Sequence, residues 1–231
     1  MSISSVKVVI PAQNEEQAIG KVLSEIPDIV NEVIVVDNGS TDDTPKVARS
    51  HGATVISEPV PGYGRACLAG IKQAGACDII VFLDGDASDY PAEIVDVIAP
   101  IMDETADMVI GSRVLGQREK GSLTLQQRWG NDLACTLIRL IWRHKYTDLG
   151  PFRAIRKTSL DSLAMDAPTF GWTVEMQIRA LKKKLRCVDV PVNYRKRIGK
   201  SKISGTVKGV ILAGFYILGT IFVEAILRRG K

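Results

Sequence analysis

The chain has 231 residues, 45% hydrophobic and 24% charged, ordinary values for a globular protein with a sizeable core: one large α/β domain, or one domain plus an appendage. Four scattered cysteines (Cys67, Cys77, Cys135 and Cys187) form no Cys-x-x-Cys pair, which argues against a disulfide framework or a zinc site and suits a reducing compartment. The net charge of +4 is uneven: Arg179 to Lys231 holds 14 Lys or Arg against 2 acids, a balance of +12, whereas the preceding 178 residues hold 16 bases and 24 acids, a balance of −8. The basic end has few interleaved aromatics and no nucleic-acid motif, so nucleic acid ranks low as a partner.

Met1–Ser5 runs into the first strand with no signal-peptide pattern. Val6–Ile10 reads as a strand, Glu15–Glu25 as a helix stopped before Pro27, Glu32–Val36 as a strand, and Asp42–His51 as a helix capped by Ser40 or Thr41. Strands at Thr54–Ser57, Ile79–Leu83 and Met108–Ile110 alternate with a helix at Arg65–Ala74 and one that has Pro91 in its first turn and ends near Met102. This alternation predicts a mostly parallel sheet with helices on both faces. Beyond it, Leu123–Arg143 reads as a long amphipathic helix, Phe152–Arg156 as a strand, Val174–Lys184 as a helix and Arg186–Tyr194 as a strand. Trp129, Trp142 and Trp172 read as core or interface aromatics.

Val207–Leu227 is apolar apart from Lys208 and Glu224 and has about the length that spans a bilayer, roughly 20 residues. Its three readings are a spanning helix, a helix lying in the membrane interface, and a core or oligomer-contact helix. Flanking Arg228, Arg229 and Lys231 suit anionic headgroups, which favours the in-plane reading. The expected division is a catalytic unit over 1–205 and a hydrophobic, basic segment over 206–231.

Four loops fall at strand ends, where open α/β sheets bind ligands: Pro11-Ala12-Gln13-Asn14-Glu15, Asp37-Asn38-Gly39-Ser40-Thr41-Asp42, Pro61-Gly62-Tyr63-Gly64-Arg65 and Asp84-Gly85-Asp86-Ala87-Ser88. Asp84 and Asp86, two apart after an apolar strand, can turn toward one point. Mg²⁺ commonly takes one or two carboxylates plus substrate phosphates. Carboxylates can hold base and ribose hydroxyls, Gly64 and its neighbours permit close backbone approach, and Arg65 can meet a phosphate bidentately. Each loop alone reads as readily as a turn or a cap.

Val-Val-Ile-Pro-Ala-Gln-Asn-Glu-Glu, Val-Ile-Val-Val-Asp-Asn-Gly-Ser-Thr-Asp and Phe-Leu-Asp-Gly-Asp, in that order, resemble the inverting family 2 glycosyltransferases of GT-A fold. The polyprenyl-phosphate hexosyltransferases, dolichyl-phosphate mannose synthase among them, are the most similar branch. The resemblance runs from about Val6 to Gly205. It implies a Rossmann-like GT-A domain that moves a hexose from a UDP- or GDP-sugar to a polyprenyl phosphate. It implies nucleotide-sugar contacts from Pro11, Glu15, Asp37, Asn38, Gly64, Arg65, Asp84 and Gly85. It also implies Mg²⁺ or Mn²⁺ on Asp84 and Asp86, with Ser88 where some relatives place a Gln that completes the metal shell. Asn38 stands where many members have a second Asp. Asp148-Leu149-Gly150-Pro151-Phe152-Arg153 resembles the acceptor-side segment. Arg197-Ile198-Gly199-Lys200-Ser201-Lys202 resembles the basic loop that closes over the donor diphosphate, so Arg197 and Lys202 join the donor contacts.

An attacking sugar hydroxyl needs a general base, whereas a phosphate monoester is already anionic and needs cations. Arg113, Arg128 and Arg153 offer cations and no histidine offers itself as base, which favours a lipid phosphate at the cytoplasmic side of a membrane. Asp148 is the best base should the acceptor be a hydroxyl. The rival readings are the same fold acting on a non-lipid acceptor, a nucleotidyltransferase, and a non-catalytic nucleotide-binding protein. The acidic Pro11–Glu15 loop lacks the Gly-rich, basic character of the nucleotidyltransferases.

Overall fold

A computed structural model describes residues 5–199 and 207–227, the latter by backbone alone at 207–211 and 227. The strands are β1 (Val6–Ala12), β2 (Glu32–Asp37), β3 (Thr54–Ser57), β4 (Ile79–Phe82), β5 (Met108–Ser112), β6 (Arg153–Arg156) and β7 (Cys187–Pro191). The helices are α1 (Ile19–Ser24), α2 (Thr44–Ser50), α3 (Tyr63–Ala74), α4 (Ile94–Met102), α5 (Leu125–Trp142), α6 (Lys157–Leu163), α7 (Trp172–Lys182) and α8 (Val207–Leu227). The sheet order is β3-β2-β1-β4-β6-β5-β7. All pairings are parallel except those of β6, which runs antiparallel to both β4 and β5.

Both faces of the sheet are buried, and the period of two along each strand divides the core. Val8, Ile10, Ile79 and Val81 face the layer that includes Ile19 of α1 and Ile98 of α4. Val9, Ile34, Ile80 and Phe82 face the layer that includes Cys67 of α3, Ile138 of α5 and Trp172 of α7. The parallel strands all end at one edge, and that edge gathers the loops after β1, β2, β3, β4, β5 and β7.

Four features depart from the expected layout. The antiparallel β6 was expected only as a strand, and α6 was not expected. α1 begins at Ile19 rather than Glu15, because the backbone of 14–16 bonds across to the loop after β2: Asn14 N–H to Ser40 Oγ (2.9 Å), Glu15 N–H to Thr44 Oγ1 (2.7 Å) and Glu16 N–H to Asp42 (3.2 Å). Neither Ser40 nor Thr41 caps α2; Asp42 instead accepts from the Thr44 amide and hydroxyl.

α8 packs against α5 and α7, with Ile221 and Glu224 buried. Among the described residues no helix is long and apolar enough to cross a membrane, so the spanning reading has no support. The flanking Arg228, Arg229 and Lys231 lie outside the described residues. Trp172 is a core residue, its ring centroid 4.7 Å from that of Phe82. Trp172→Ala should cost about 3–5 kcal/mol, the usual range for deleting a buried large aromatic, read as a lower denaturation midpoint with an unchanged slope.

Candidate active site

β4 delivers Asp84 and Asp86 to the sheet edge. Gly85 sits between them, where an added Cβ would make only ordinary 3.5 Å contacts with Ile10, Ala12 and Ile19. Ala87 takes the left-handed conformation (φ +60°), which an L-residue with a Cβ resists. The segment after β7 holds it there: Arg195 donates from Nε to the Ala87 carbonyl (2.6 Å) and from its amide to the Ser88 carbonyl (2.9 Å), and the Ile198 amide donates to the Asp86 carbonyl (2.9 Å). Arg195 is itself anchored on Glu25 (2.7 Å) and stacks over Tyr90.

The acidic side chains lie within this clamp. Asp86 accepts the Ser88 amide and hydroxyl on one oxygen and pairs with Arg197 through the other (2.8 Å). Asp84 accepts the Tyr63 hydroxyl (3.3 Å). Burial, then the charge of Asp86, pushes the Asp84 carboxyl up to about 7. A third carboxylate, Asp89, is buried beside them, and burial, then the charge of Asp84, drives its pKa well up. The residues fit a divalent cation on this physical ground: burial and the neighbouring Asp86 charge both disfavour the Asp84 carboxylate, and a dication would supply the positive charge that offsets them. Among the described residues no cluster of three or more His, Cys, Asp or Glu could hold a metal, so water and ligand phosphates would have to complete the shell of a two-carboxylate site.

A cleft of about 710 Å³ opens beside the acidic turn. It is lined by Pro11, Glu15 and Asn38, by Asp84, Gly85, Asp86 and Arg197, and by residues of α5, α8 and the 169–173 segment. A side pocket of about 90 Å³ adjoins it, walled by Arg113, Arg118, Arg128 and Asp148.

Several expected site residues turn out to have different work. Asn38 is 7% exposed and its whole amide is engaged: Nδ2 donates to the Glu58 and Val60 carbonyls (2.8 and 2.9 Å) and Oδ1 accepts the Gly62 amide (2.8 Å). It braces the loop into α3, a task that a second Asp could not perform. Asp37 closes a turn onto the Ser40 amide. A Cβ on Gly62 would lie 2.5 Å from the Pro168 carbonyl oxygen, and one on Gly64 would collide with the Ala167 carbonyl oxygen. The close backbone approach that the glycines permit is thus that of the chain's own 167–168 segment. Arg65 is exposed on α3 and does not line the cleft. Ser88 positions Asp86 rather than offering its oxygen outward.

Arg153 is fully buried, its guanidinium donating to the carbonyls of Thr173, Leu149 and Gly150, so it holds the core together and presents no charge to an acceptor. Asp148 is equally committed, accepting the Arg113 amide, Nε and Nη2 at 2.7–2.8 Å. Burial pushes its carboxyl up, but the Arg113 charge and hydrogen bonds outweigh that and hold it below the usual range. Such a carboxylate is a weak proton acceptor. Lys202 lies outside the described residues. Tyr63, Asp89 and Arg195 were missed by the sequence reading. Only the position of Tyr63, inside the glycine-flanked loop, was a usable signal.

A mixed sheet of this order, with an acidic turn at the end of β4, is the GT-A fold of nucleotide-sugar-type glycosyltransferases. Residues 7–164 match Glycosyl transferase family 2, and the chain belongs to that family. It is 36% identical to an uncharacterized glycosyltransferase of Mycobacterium tuberculosis over 218 residues, 92% of this chain and 96% of that protein. It is 34% identical to the dolichyl-phosphate hexose transferase of Haloferax volcanii over 202 residues, 85% of each. Among solved structures it resembles glucosyl-3-phosphoglycerate synthase from Mycobacterium tuberculosis in complex with Mn²⁺, UDP and glucosyl-3-phosphoglycerate, with a TM-score of 0.78, 25% identity and coverage of 96% of this chain and 80% of that one. The protein is therefore a glycosyltransferase, and the nucleotidyltransferase and non-catalytic readings fall away.

Asn38→Asp should cost about 1–3 kcal/mol, because two carbonyls lose their donors and face a carboxylate instead. The measurement is urea unfolding near neutral pH; an unchanged midpoint would refute the bracing role.

Proposed function

We propose that this chain is a metal-dependent, inverting hexosyltransferase that moves sugar from a nucleoside diphosphate donor to a polyprenyl phosphate at the cytoplasmic face of a membrane. The observation that carries the lipid reading is the wall of the cleft. α5 contributes Gln126, Gly130 and Asn131, and α8 contributes Leu212, Tyr216 and Ile217. The outward sides of the same two helices leave Leu125, Trp129, Leu140, Phe215, Phe222 and Ile226 at least 60% exposed. An apolar strip bordering a charged cleft suits a substrate with a charged head and an apolar tail, and a lipid surface covers such a strip. The haloarchaeal relative is named for a dolichyl-phosphate acceptor and the mycobacterial structure for phosphoglycerate. Both acceptors carry a phosphate, and the apolar strip favours the lipid.

Donor chemistry follows from the acidic turn. Asp84 and Asp86 would hold Mg²⁺ or Mn²⁺ against the donor diphosphate, supplying Lewis-acid neutralisation of the leaving group. The solved neighbour's Mn²⁺ and UDP support this. Arg197 pairs with Asp86 (2.8 Å) and lines the same cleft, where its charge would add to the same stabilisation. Pro11 and Glu15 would flank the nucleoside at the end of β1.

At the acceptor end, Arg113 and Arg128, with Arg118, surround a pocket suited to a phosphate. A phosphate oxygen forms a bond to the anomeric carbon while the bond from that carbon to the diphosphate oxygen breaks, with inversion. The nucleoside diphosphate leaves with the electron pair. The ionised phosphate has no proton to surrender, so no base is required, and Asp148 serves by fixing the Arg113 guanidinium.

Purified protein incubated with Mn²⁺, a panel of radiolabelled UDP- and GDP-hexoses and polyprenyl phosphate should yield an organic-extractable product labile to mild acid. Asp86→Ala should lower that yield at least roughly 100-fold while leaving the circular dichroism spectrum intact. Transfer to phosphoglycerate alone would defeat the lipid reading, and unchanged turnover in the variant would defeat the metal assignment.

Proton and cation compete for Asp84. In the metal-free protein the raised pKa of this group disfavours the folded state as pH climbs from about 4 through about 7. Conversely, Mn²⁺ affinity should weaken by up to about tenfold per pH unit below 7, measured calorimetrically without donor. An affinity flat between pH 8 and pH 5 would remove Asp84 from the shell.

A further inference from the structure

α8 is apolar almost throughout, yet it buries a carboxylate. Glu224 is 4% exposed and is held by two cations of α7, with Arg179 Nε at 3.0 Å from one oxygen and Lys182 Nζ on the other. Burying an ion pair rarely stabilises more than an apolar residue of the same shape would, but it selects one arrangement over its neighbours. Arg179 is more than a docking partner. The same guanidinium reaches Asp166 (2.8 Å) and Glu175 (2.8 Å) and donates to the carbonyls of Leu163 and Ala164. Glu175 in turn accepts the Asp166 and Ala167 amides. The segment leading from α6 to α7 and the C-terminal helix therefore hang from one side chain.

That segment enters the cleft immediately afterwards. The Pro168 carbonyl accepts the Arg65 amide (3.1 Å), which ties it to the loop whose Tyr63 hydroxyl meets Asp84. Thr169, Phe170 and Thr173 line the cleft. A Cβ on Gly171 would strike Thr220 of α8, and the Phe170 ring stands edge-on to Tyr216 of α8 (6.4 Å). The cleft wall is thus built from two pieces, α8 and 166–173, whose mutual placement the Arg179 cluster fixes.

We propose that Glu224 is a positioning residue for the acceptor: by seating α8 on Arg179 and Lys182 it sets the cleft wall formed by α8 and residues 166–173. This rests on the reading that the α5–α8 end of the cleft takes the acceptor. The two ends of the cleft should then respond differently. Loosening α8 perturbs the wall directly, whereas the loops after β1 and β2 do not touch the cluster.

The test uses the full chain with Glu224→Gln, which keeps the shape and removes the charge, and Glu224→Asp, which keeps the charge. Steady-state rates are measured with donor and polyprenyl phosphate varied separately, and amide hydrogen exchange is followed across 163–171 and 212–226. Glu224→Gln should raise the acceptor KM roughly 3- to 10-fold with the donor KM within about twofold, and should speed exchange in both segments. Glu224→Asp should restore most of the loss. A merely destabilised enzyme loses active molecules, which lowers apparent kcat and leaves both KM values in place. That pattern, or faster exchange in 212–226 alone, would overturn the proposal. Should Glu224→Gln fail to fold, Lys182→Gln, which removes half of the seat, carries the same expectation. If the wild type makes no lipid product, the acceptor reading fails on its own, and exchange across 163–171 still decides whether α8 and that segment are linked.

Discussion

The carboxylates of Asp84 and Asp86 repel one another at the end of β4, in surroundings that strip away much of their water, and the neighbouring chain is arranged to contain that repulsion. Arg197 neutralises one charge and Ser88 caps one oxygen of the same group. Asp84 is left to hold a proton at about neutral pH. The backbone beneath takes a left-handed turn at Ala87, and Arg195 pins it from the segment that follows β7. Under the proposed function a site so held would lose little order when a cation arrives, and the cation would relieve a repulsion already present. This is preorganisation in the electrostatic sense: the arrangement is unfavourable alone and favourable with its ligand.

The loops around the turn support one another rather than waiting for ligand. Asn38 spends three hydrogen bonds on 58–62, the glycines of that loop admit the 167–168 backbone, and the 167 amide returns to Glu175. Each link joins segments far apart in sequence, so the edge behaves as a woven collar around the acidic pair. It follows that a substitution in the collar can alter the site without touching anything bound there.

What could be read from the sequence was what local chemistry determines. The strands before the acidic turn were legible because a strand buried on both faces is a short apolar run, and Ile79–Phe82 is such a run. The acidic pair alone reads as readily as a turn or a cap; it was legible because the motifs after β1 and β2 precede it in the order that the family shows. The antiparallel β6 was not, since Arg153–Arg156 carries no local mark of direction. Arg153 misled for a related reason. A lone arginine near an acceptor motif looks like a phosphate ligand, and only the fold reveals that carbonyls from 149, 150 and 173 converge on it. Arg113 and Arg128 had the same local appearance and do reach a pocket. The difference lies entirely in non-local packing.

α8 shows how far composition alone can carry an argument. A helix apolar on all sides is a core helix, a membrane helix, or one with two different apolar neighbours. Ile221 and Glu224 face α7 and the core, while Phe215, Phe222 and Ile226 face away. The third option therefore describes it: one side is satisfied by the protein and the other demands a cover. Under the proposed function a lipid surface supplies that cover and delivers the acceptor to the same edge. The buried Glu224 then acquires a rationale that composition could not give. Two competing apolar surfaces would let the helix roll between protein and lipid, and a charge that only α7 can satisfy makes one rotation far better than the rest.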